Sequence, residues 1–497
     1  MESLSQIIPV TIPVADYLRD HVHNERAVFP AVESMAVLAR SCLPLLHGSA
    51  AIRMDQADFI KFLQIDHDAA HIEALNEVTR LDNGAVSCRL ITVRKQGKSG
   101  IVRRIEHASC ILNKSAVPPK EPPLDTILGL EGVCIQLSMK QVYSELIPFK
   151  SAYQNINELF VTDQGAIAIV DGGTDKAPSE PLGSPFPLDA SFHAACVWGQ
   201  RFAGIVGFPV HIDRRIIMQK TRPYQTYISR ITPVKAGPSL LIFDLWIYSI
   251  EGRLCEEVRG LHLKDVSGKK LLPPEWIRSG KDKRLESVRS ACRELSLIEL
   301  ATVTKPCEGI LSPPEMERFR SMREKRGKSF VAARLALKKL SRGSSGSDMT
   351  APASSITTIE PDGRPACPVT GGEDTRWCTA SHDARFAVAA VSDRRIGIDV
   401  EEISGRVLKS QRLYMHEEEL PLVKSHALGD REASARVWSI KEAVSKAAGM
   451  NLADAWQRTR VKEIGREKSV ILIDDETHEA IHAVVDGHIF TVIVMKS

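Results

Sequence analysis

The 497-residue chain contains no CxxC pair, no Cys/His group at zinc-ligand spacing and no run of 18 uncharged apolar residues. Its ten cysteines are scattered at 42, 88, 110, 134, 196, 255, 292, 307, 367 and 378, a distribution that reads as reduced thiols. Without a long apolar run there is no candidate transmembrane helix, and MESLSQIIPVTIPVADYLRDH lacks the basic stretch that precedes the apolar part of a secretory leader. The expectation is a cytoplasmic protein. Extended polar low-complexity sequence is also missing, which excludes wholesale disorder, and 43% apolar with 26% charged residues is ordinary globular composition. Nor is there an excess of one charge: 65 Lys+Arg against 62 Asp+Glu leave +3, too balanced for the whole chain to bind nucleic acid by general attraction.

What is present is a chain long enough for two or three cores. Residues 70–113 alternate in short apolar runs (VSCRLITVRK, GIVRRIEHASCIL) around Asn-Gly and Gly-Lys turns, as a curved antiparallel sheet does. The texture returns in IAIVDGG at 167–173, in 218–234 and in 241–266, the last with a turn at Glu251-Gly252. Each block holds one long apolar helix, Pro30 to Leu46 and Asp189 to Ala203, so the N-terminal half reads as one helix wrapped by a sheet, twice. The Pro- and Lys-rich stretch 269–289 is the expected linker between a domain at 1–268 and another at 290–497. The second domain reads as α+β. A strand is expected at 297–303, a basic helix from Pro313 to Leu340, a Gly/Ser/Thr-rich loop at 343–355, strands near 386–392 and 396–401, and a helix at 432–448.

In RIGIDVEEI, Asp399 and Glu401 are two residues apart on a strand and project from one face. In RVWSIKEAVSKAAG, Glu442 and Lys446 stack at i,i+4 on a helix. Either fragment alone also fits a solvated strand or a surface ion pair. Three carboxylates brought together, without Cys or His, suit Mg²⁺ bridging to a phosphate. The joint pattern resembles the surfactin-type 4'-phosphopantetheinyl transferases, and FVAARLALKKL, DGRP and ASHD extend the likeness over about 290–497. The resemblance implies a pseudo-duplicated α+β fold that moves phosphopantetheine from coenzyme A to a serine of an acyl carrier protein. Asp399, Glu401 and Glu442 would hold Mg²⁺, Glu442 would also accept the serine proton, and Lys446 would stabilise the leaving nucleotide. Arg334 and His382, with Ser381 nearby, would grip coenzyme A phosphates. Ten basic residues between Arg318 and Arg342 face a single acid, Glu324. They fit a solvated helix face, coenzyme A phosphates or an acidic carrier protein, with nucleic acid a distant reading for want of interleaved aromatics.

The N-terminal half pairs one base with one acid across its repeat. His21 precedes the first long helix, and Asp189 opens the second with His193 one turn on. The spacing from His21 to Pro30, followed by DASFH, resembles the double-hotdog dehydratase domains of polyketide and polyunsaturated-fatty-acid synthases, over about 1–268. By that resemblance His21 would take the α-proton of a 3-hydroxyacyl thioester and Asp189, oriented by His193, would protonate the departing hydroxyl to leave a trans-2-enoyl product. His23 is an alternative base. Two positions depart from the pattern: Glu25 stands where glycine is usual, which would put charge near the base, and Phe149-Lys150-Ser151 replaces a tyrosine/glycine/proline block, placing Lys150 on the expected acyl path. The rival reading is a non-catalytic hotdog pair that docks the carrier protein beside an active transferase. Both halves converge on an acyl carrier protein, expected to come, with the ketosynthase, from elsewhere.

Overall fold

Two buried helices organise the N-terminal half. Pro30 caps the helix Ala31–Cys42, where Val32, Met35, Leu38 and Ala39 are all buried. The helix Phe186–Phe202 is apolar almost all round and buried accordingly. It begins three residues ahead of the expected Asp189, with Pro187 in its first turn. In the computed structural model every residue is described except 1–4, 47–50, 97–100, 116–121, 179, 304–308, 345–350, 368–375, 425 and 497. The expected Gly97-Lys98 turn, Cys307 and residues 345–350 of the Gly/Ser/Thr-rich loop therefore lie outside the described residues.

Around the two helices runs one twelve-stranded antiparallel sheet rather than two separate ones. Outward from its middle the first half runs Ala51–Phe59, Ile101–Ser115, Val86–Gln96, His71–Arg80 and Ser5–Pro13. The second half starts with Phe208–Ile217, Leu254–Lys264, Leu240–Ser249, Thr226–Ala236 and Gly165–Asp171, then Ile156–Thr162 and Ile135–Ser138. In each half the strand that follows the helix is central and its neighbour is the last strand of that half, so the repeat read from the sequence is a repeat of topology. The halves join through Ala51–Phe59 and Phe208–Ile217, with His211 opposite Asp58. Residues 218–225 are not the strand expected of them. The chain leaves the sheet after Ile217 and re-enters at Thr226, because Pro223 offers no N–H to a ladder and Tyr224 is left-handed at φ +61°.

The C-terminal half repeats a helix-on-sheet arrangement. The helix Glu324–Ser344 packs on a sheet ordered Glu294–Glu299, Phe386–Ser392, Trp377–His382. The helix Asp430–Ala448 packs on the five-stranded sheet Ile396–Glu402, His488–Val494, Glu476–Val485, Lys468–Ile473, Thr459–Glu463. The strand expected at 297–303 ends at Glu299 and gives way to a single 3₁₀ turn. The long basic helix is two helices, Pro313–Arg320 and Glu324–Ser344, because Ser321 and Met322 turn their N–H groups back onto Arg318 and Phe319.

The compact units are Met1–Glu121 with Ile135–Lys281, and Pro122–Cys134 with Asp282–Ser497. This differs from a continuous 1–268 domain. Residues 122–134 pack with the C-terminal unit: Asp125 is fully buried in an ion pair with Arg342 at 2.6 Å, and the Cys134 N–H donates to Glu299. Burying a carboxylate requires such a partner. The linker expected at 269–289 is likewise shared out. Ile277 is buried in the first unit, where Arg201 donates to its carbonyl, whereas Leu285 and Val288 belong to the second unit's core.

Candidate active sites of the two units

In the first unit a cavity of about 610 Å³ is lined by His21, His23, Phe149, Asp189 and His193 together with apolar side chains. The His21 Nδ1–H donates to the Val28 carbonyl at 3.0 Å. A carbonyl only accepts, so the neutral ring carries its proton on Nδ1 and leaves the Nε2 lone pair free. Burial lowers the His21 pKa to about 4; the Asp189 charge opposes this shift and His193 reinforces it. His21 is therefore an unprotonated base at neutral pH.

Asp189 and His193 lie one turn apart and are both buried, at 4% and 5% exposure. His193 Nε2 stands 3.0 Å from Asp189 Oδ2, and neither atom makes a hydrogen bond among the described residues. The Tyr143 oxygen accepts the Asn155 and Ile156 N–H groups at 3.0 Å each, so its own proton is directed to His193 Nδ1 at 3.2 Å. That bond sets the tautomer, leaving the His193 proton on Nε2, the nitrogen nearest Asp189. Phe149 packs between the two imidazoles with its ring tilted to both, 4.3 Å from the His21 ring and 4.9 Å from that of His193. Tyr143 was not singled out by sequence reasoning, and its distance of fifty residues from His193 offered no signal.

The other two sequence expectations here are corrected. Glu25 is exposed at the tip of the two-residue turn joining Val22–His23 to Arg26–Ala27, and it does not line the cavity. Asn24 and Glu25 are left-handed there, at φ +48° and +63°, which is why a glycine suits this position. Lys150 is exposed and its N–H is bonded to the Asp20 carbonyl, so Phe149 rather than Lys150 faces the cavity. His23 also reaches the cavity, but its ring packs between Phe62 and Phe208, 5.0 and 4.8 Å away.

In the second unit the sites on strand and helix are brought together by Gly397. A Cβ at this position would sit 1.9 Å from the Ala443 carbonyl oxygen and 2.7 Å from the Ala447 nitrogen, so Ile396–Glu402 lies directly on the helix Asp430–Ala448. Asp399 Oδ1 accepts from Ser381 Oγ at 2.8 Å and Lys446 Nζ at 2.9 Å, and Lys446 also donates to Ser381 and to the Ile398 carbonyl. Asp399 Oδ2 is buried without a hydrogen-bond partner among the described residues. Glu401 is held by Arg406 at 2.6 Å. Burial and the charge of Asp399 raise the Glu442 pKa, with Lys446 opposing, and Glu401 adds to the rise. The three carboxylates thus share one electrostatic neighbourhood. Among the described residues no three His, Cys, Asp or Glu side chains stand as a ready metal cage; Lys446 and Arg406 occupy oxygens of two of these acids.

The His382 ring reaches solvent, yet its pKa is lowered by desolvation from the protein around it and by the charges of Lys446, Arg326 and Arg334, with Asp383 opposing. A concentration of cations beside a neutral imidazole is an anion-attracting surface. Arg334 itself is buried, stacked on Phe330 and donating to the Thr358 carbonyl, so its charge reaches this surface from below. Two other members of the basic run are structural: Lys338 pairs with Glu315 and Arg342 with Asp125, all buried. That leaves the solvated-face reading true of only part of the helix.

Residues 395–493 match the 4'-phosphopantetheinyl transferase superfamily, and residues 142–273 match the polyketide synthase dehydratase N-terminal domain. Two separate regions of the chain thus match a transferase family and a dehydratase family. Solved structures similar to it include an N-terminal dehydratase from the difficidin assembly line (17% identity, 53% of this chain and 93% of that one, TM-score 0.43). Others are a trans-AT polyketide synthase dehydratase domain from Brevibacillus brevis (16%, 53% and 94%, 0.44) and the dehydratase domain of a mycocerosic acid synthase-like polyketide synthase (17%, 52% and 91%, 0.43). No curated protein matches the chain. Among the described residues no helix is long and apolar enough to cross a membrane.

Proposed function

We propose that the C-terminal unit transfers 4'-phosphopantetheine from coenzyme A to a serine of an acyl carrier protein, and that the N-terminal unit dehydrates 3-hydroxyacyl-carrier thioesters to trans-2-enoyl products. The observation that carries the first part is the convergence of Asp399, Glu401, Glu442 and Lys446 through the close packing at Gly397. The buried, unpartnered Asp399 Oδ2 and the mutual repulsion of the acids fit a divalent cation, and Mg²⁺ would be held by Asp399, Glu401 and Glu442. When bound, Mg²⁺ neutralises charge on the pyrophosphate. Glu442 accepts the serine proton. Lys446, anchored at Ser381 and Ile398, faces the leaving nucleotide, and His382 with the Arg326 and Arg334 charges holds its phosphates.

In the N-terminal unit His21 Nε2 takes the α-proton while the Asp189 carboxyl gives its proton to the leaving hydroxyl. Water departs, and the proton on His21 returns to Asp189 to reset the site. That neither Glu25 nor Lys150 lines the cavity supports the catalytic reading over a purely docking hotdog.

Incubating carrier protein with coenzyme A, Mg²⁺ and the full chain is expected to add a phosphopantetheine mass to the carrier. Lys446→Ala should slow this about 10²-fold, the cost of one preorganised charge in a transition state. A carrier left at its apo mass by the parent protein would overturn the transferase reading.

A further inference from the structure

The upper end of the hairpin Val86–Gln96/Ile101–Ser115 carries charges that the fold does not balance. Arg94 stands directly opposite Arg103, and Arg104 follows on the same strand; all three are exposed. Like charges facing one another across a ladder repel. Lower on the same sheet the pattern is different: Arg89 is paired with both Glu77 and Glu106. Among the described residues neither Lys61 nor Arg94, Arg103 or Arg104 makes an ion pair.

Lys61 itself lines the cavity, and Arg94, opposite Arg103, lies within electrostatic reach of that lining. His107 lines the cavity and is bonded to the Lys61 carbonyl at 3.0 Å. The charges of Lys61 and Arg94 both bear on His107. Flanking Lys61, and lining the same cavity, are Ile60 and Phe62, exposed at 60% and 39%. An unbalanced basic edge beside an exposed apolar rim, at the entrance to a buried base and acid, fits a partner with an acidic surface that delivers a flexible arm into the hole.

We infer that Arg94, Arg103, Arg104 and Lys61, with Ile60 and Phe62, form the surface on which an acidic acyl carrier protein docks to present its thioester to the dehydratase cavity. This rests on the dehydratase reading above. A nucleic acid would use the same charges, but it has no cause to sit at the mouth of an apolar cavity.

The test compares one 3-hydroxyacyl group carried by an acidic synthase carrier protein domain with the same group on free pantetheine. In the full chain, Arg94→Glu with Arg103→Glu and Arg104→Glu is expected to raise KM for the carrier-bound substrate about tenfold and leave kcat unchanged, since rim charges act mainly on association. Added salt should raise the parent's KM toward that of the variant. Turnover of the pantetheine thioester should stay within about twofold of the parent. An unchanged KM for the carrier substrate, or an equal loss on both substrates, overturns the docking surface. The milder Arg94→Gln/Arg103→Gln variant gives the same reading if the triple variant fails to fold. If the parent dehydrates neither substrate, the dehydratase reading fails by itself. The surface is then judged by titrating fluorescently labelled carrier against parent and variant: weaker binding by the variant supports it. Equal affinity, or loss of affinity only for a mixed-sequence RNA, overturns it.

Discussion

At the scale of single residues, His21 and Glu25 are four positions apart and do opposite things. His21 is kept neutral by burial and by a hydrogen bond that assigns its tautomer. Because the base must be unprotonated, kcat/KM for dehydration should hold steady as pH falls through 6.5 and decline only toward its value of about 4. A pH–rate profile with an acid limb at 6–7 would show that a group other than His21 is the base. Glu25 holds a left-handed conformation that glycine adopts without strain. Glu25→Gly should therefore stabilise the protein by about 1 kcal/mol, read as a shift in the denaturant midpoint of the first unit, with dehydration unaffected because the residue lies outside the cavity.

At the scale of elements, the transferase site depends on how closely one strand lies on one helix. Gly397→Ala would place a methyl group against the Ala443 carbonyl and force Ile396–Glu402 away from Asp430–Ala448. The expected cost is about 1–3 kcal/mol of stability, with phosphopantetheine transfer lost while dehydration persists, measured by thermal melting and by the two assays in parallel. The motif was readable because a strand period of two and a helix period of 3.6 put Asp399 with Glu401 and Glu442 with Lys446. The break at Ser321–Arg323 and the non-strand 218–225 were not, since both turn on local hydrogen bonds and backbone angles that apolar patterning does not encode. Phe149 illustrates the same gap. Its sequence position marked a departure from a family block, but only packing shows its ring lodged between two imidazoles.

For the whole molecule, the excursion Pro122–Cys134 ties residues from the middle of the first half into the second unit. A fragment spanning 282–497 would lack Asp125 and leave the buried Arg342 without its carboxylate. Breaking such a pair typically costs about 3–5 kcal/mol, so the fragment should melt well below the second unit of the full chain. Adding the 122–134 peptide in trans, or substituting Arg342→Met in the fragment, should recover part of the loss. Chelation makes a matching prediction across the chain: EDTA should stop phosphopantetheine transfer and leave dehydration running, because the dehydration proposed for His21 and Asp189 needs proton transfer and no metal.

From its sequence alone this protein disclosed a helix-and-sheet repeat, a strand carrying Asp399 and Glu401 and a helix carrying Glu442 and Lys446, because these follow from side-chain periodicity and short-range spacing, while the His21–Asp189 pair came from the repeat and the resemblance to double-hotdog dehydratases. Only the tertiary structure decided which side chains the acids hold, which nitrogen of His21 is free, where Glu25 and Lys150 point, and to which unit residues 122–134 belong. Those outcomes rest on contacts between residues tens to hundreds of positions apart, such as Asp125 with Arg342 and Tyr143 with His193, whose energies exist only once the chain has packed.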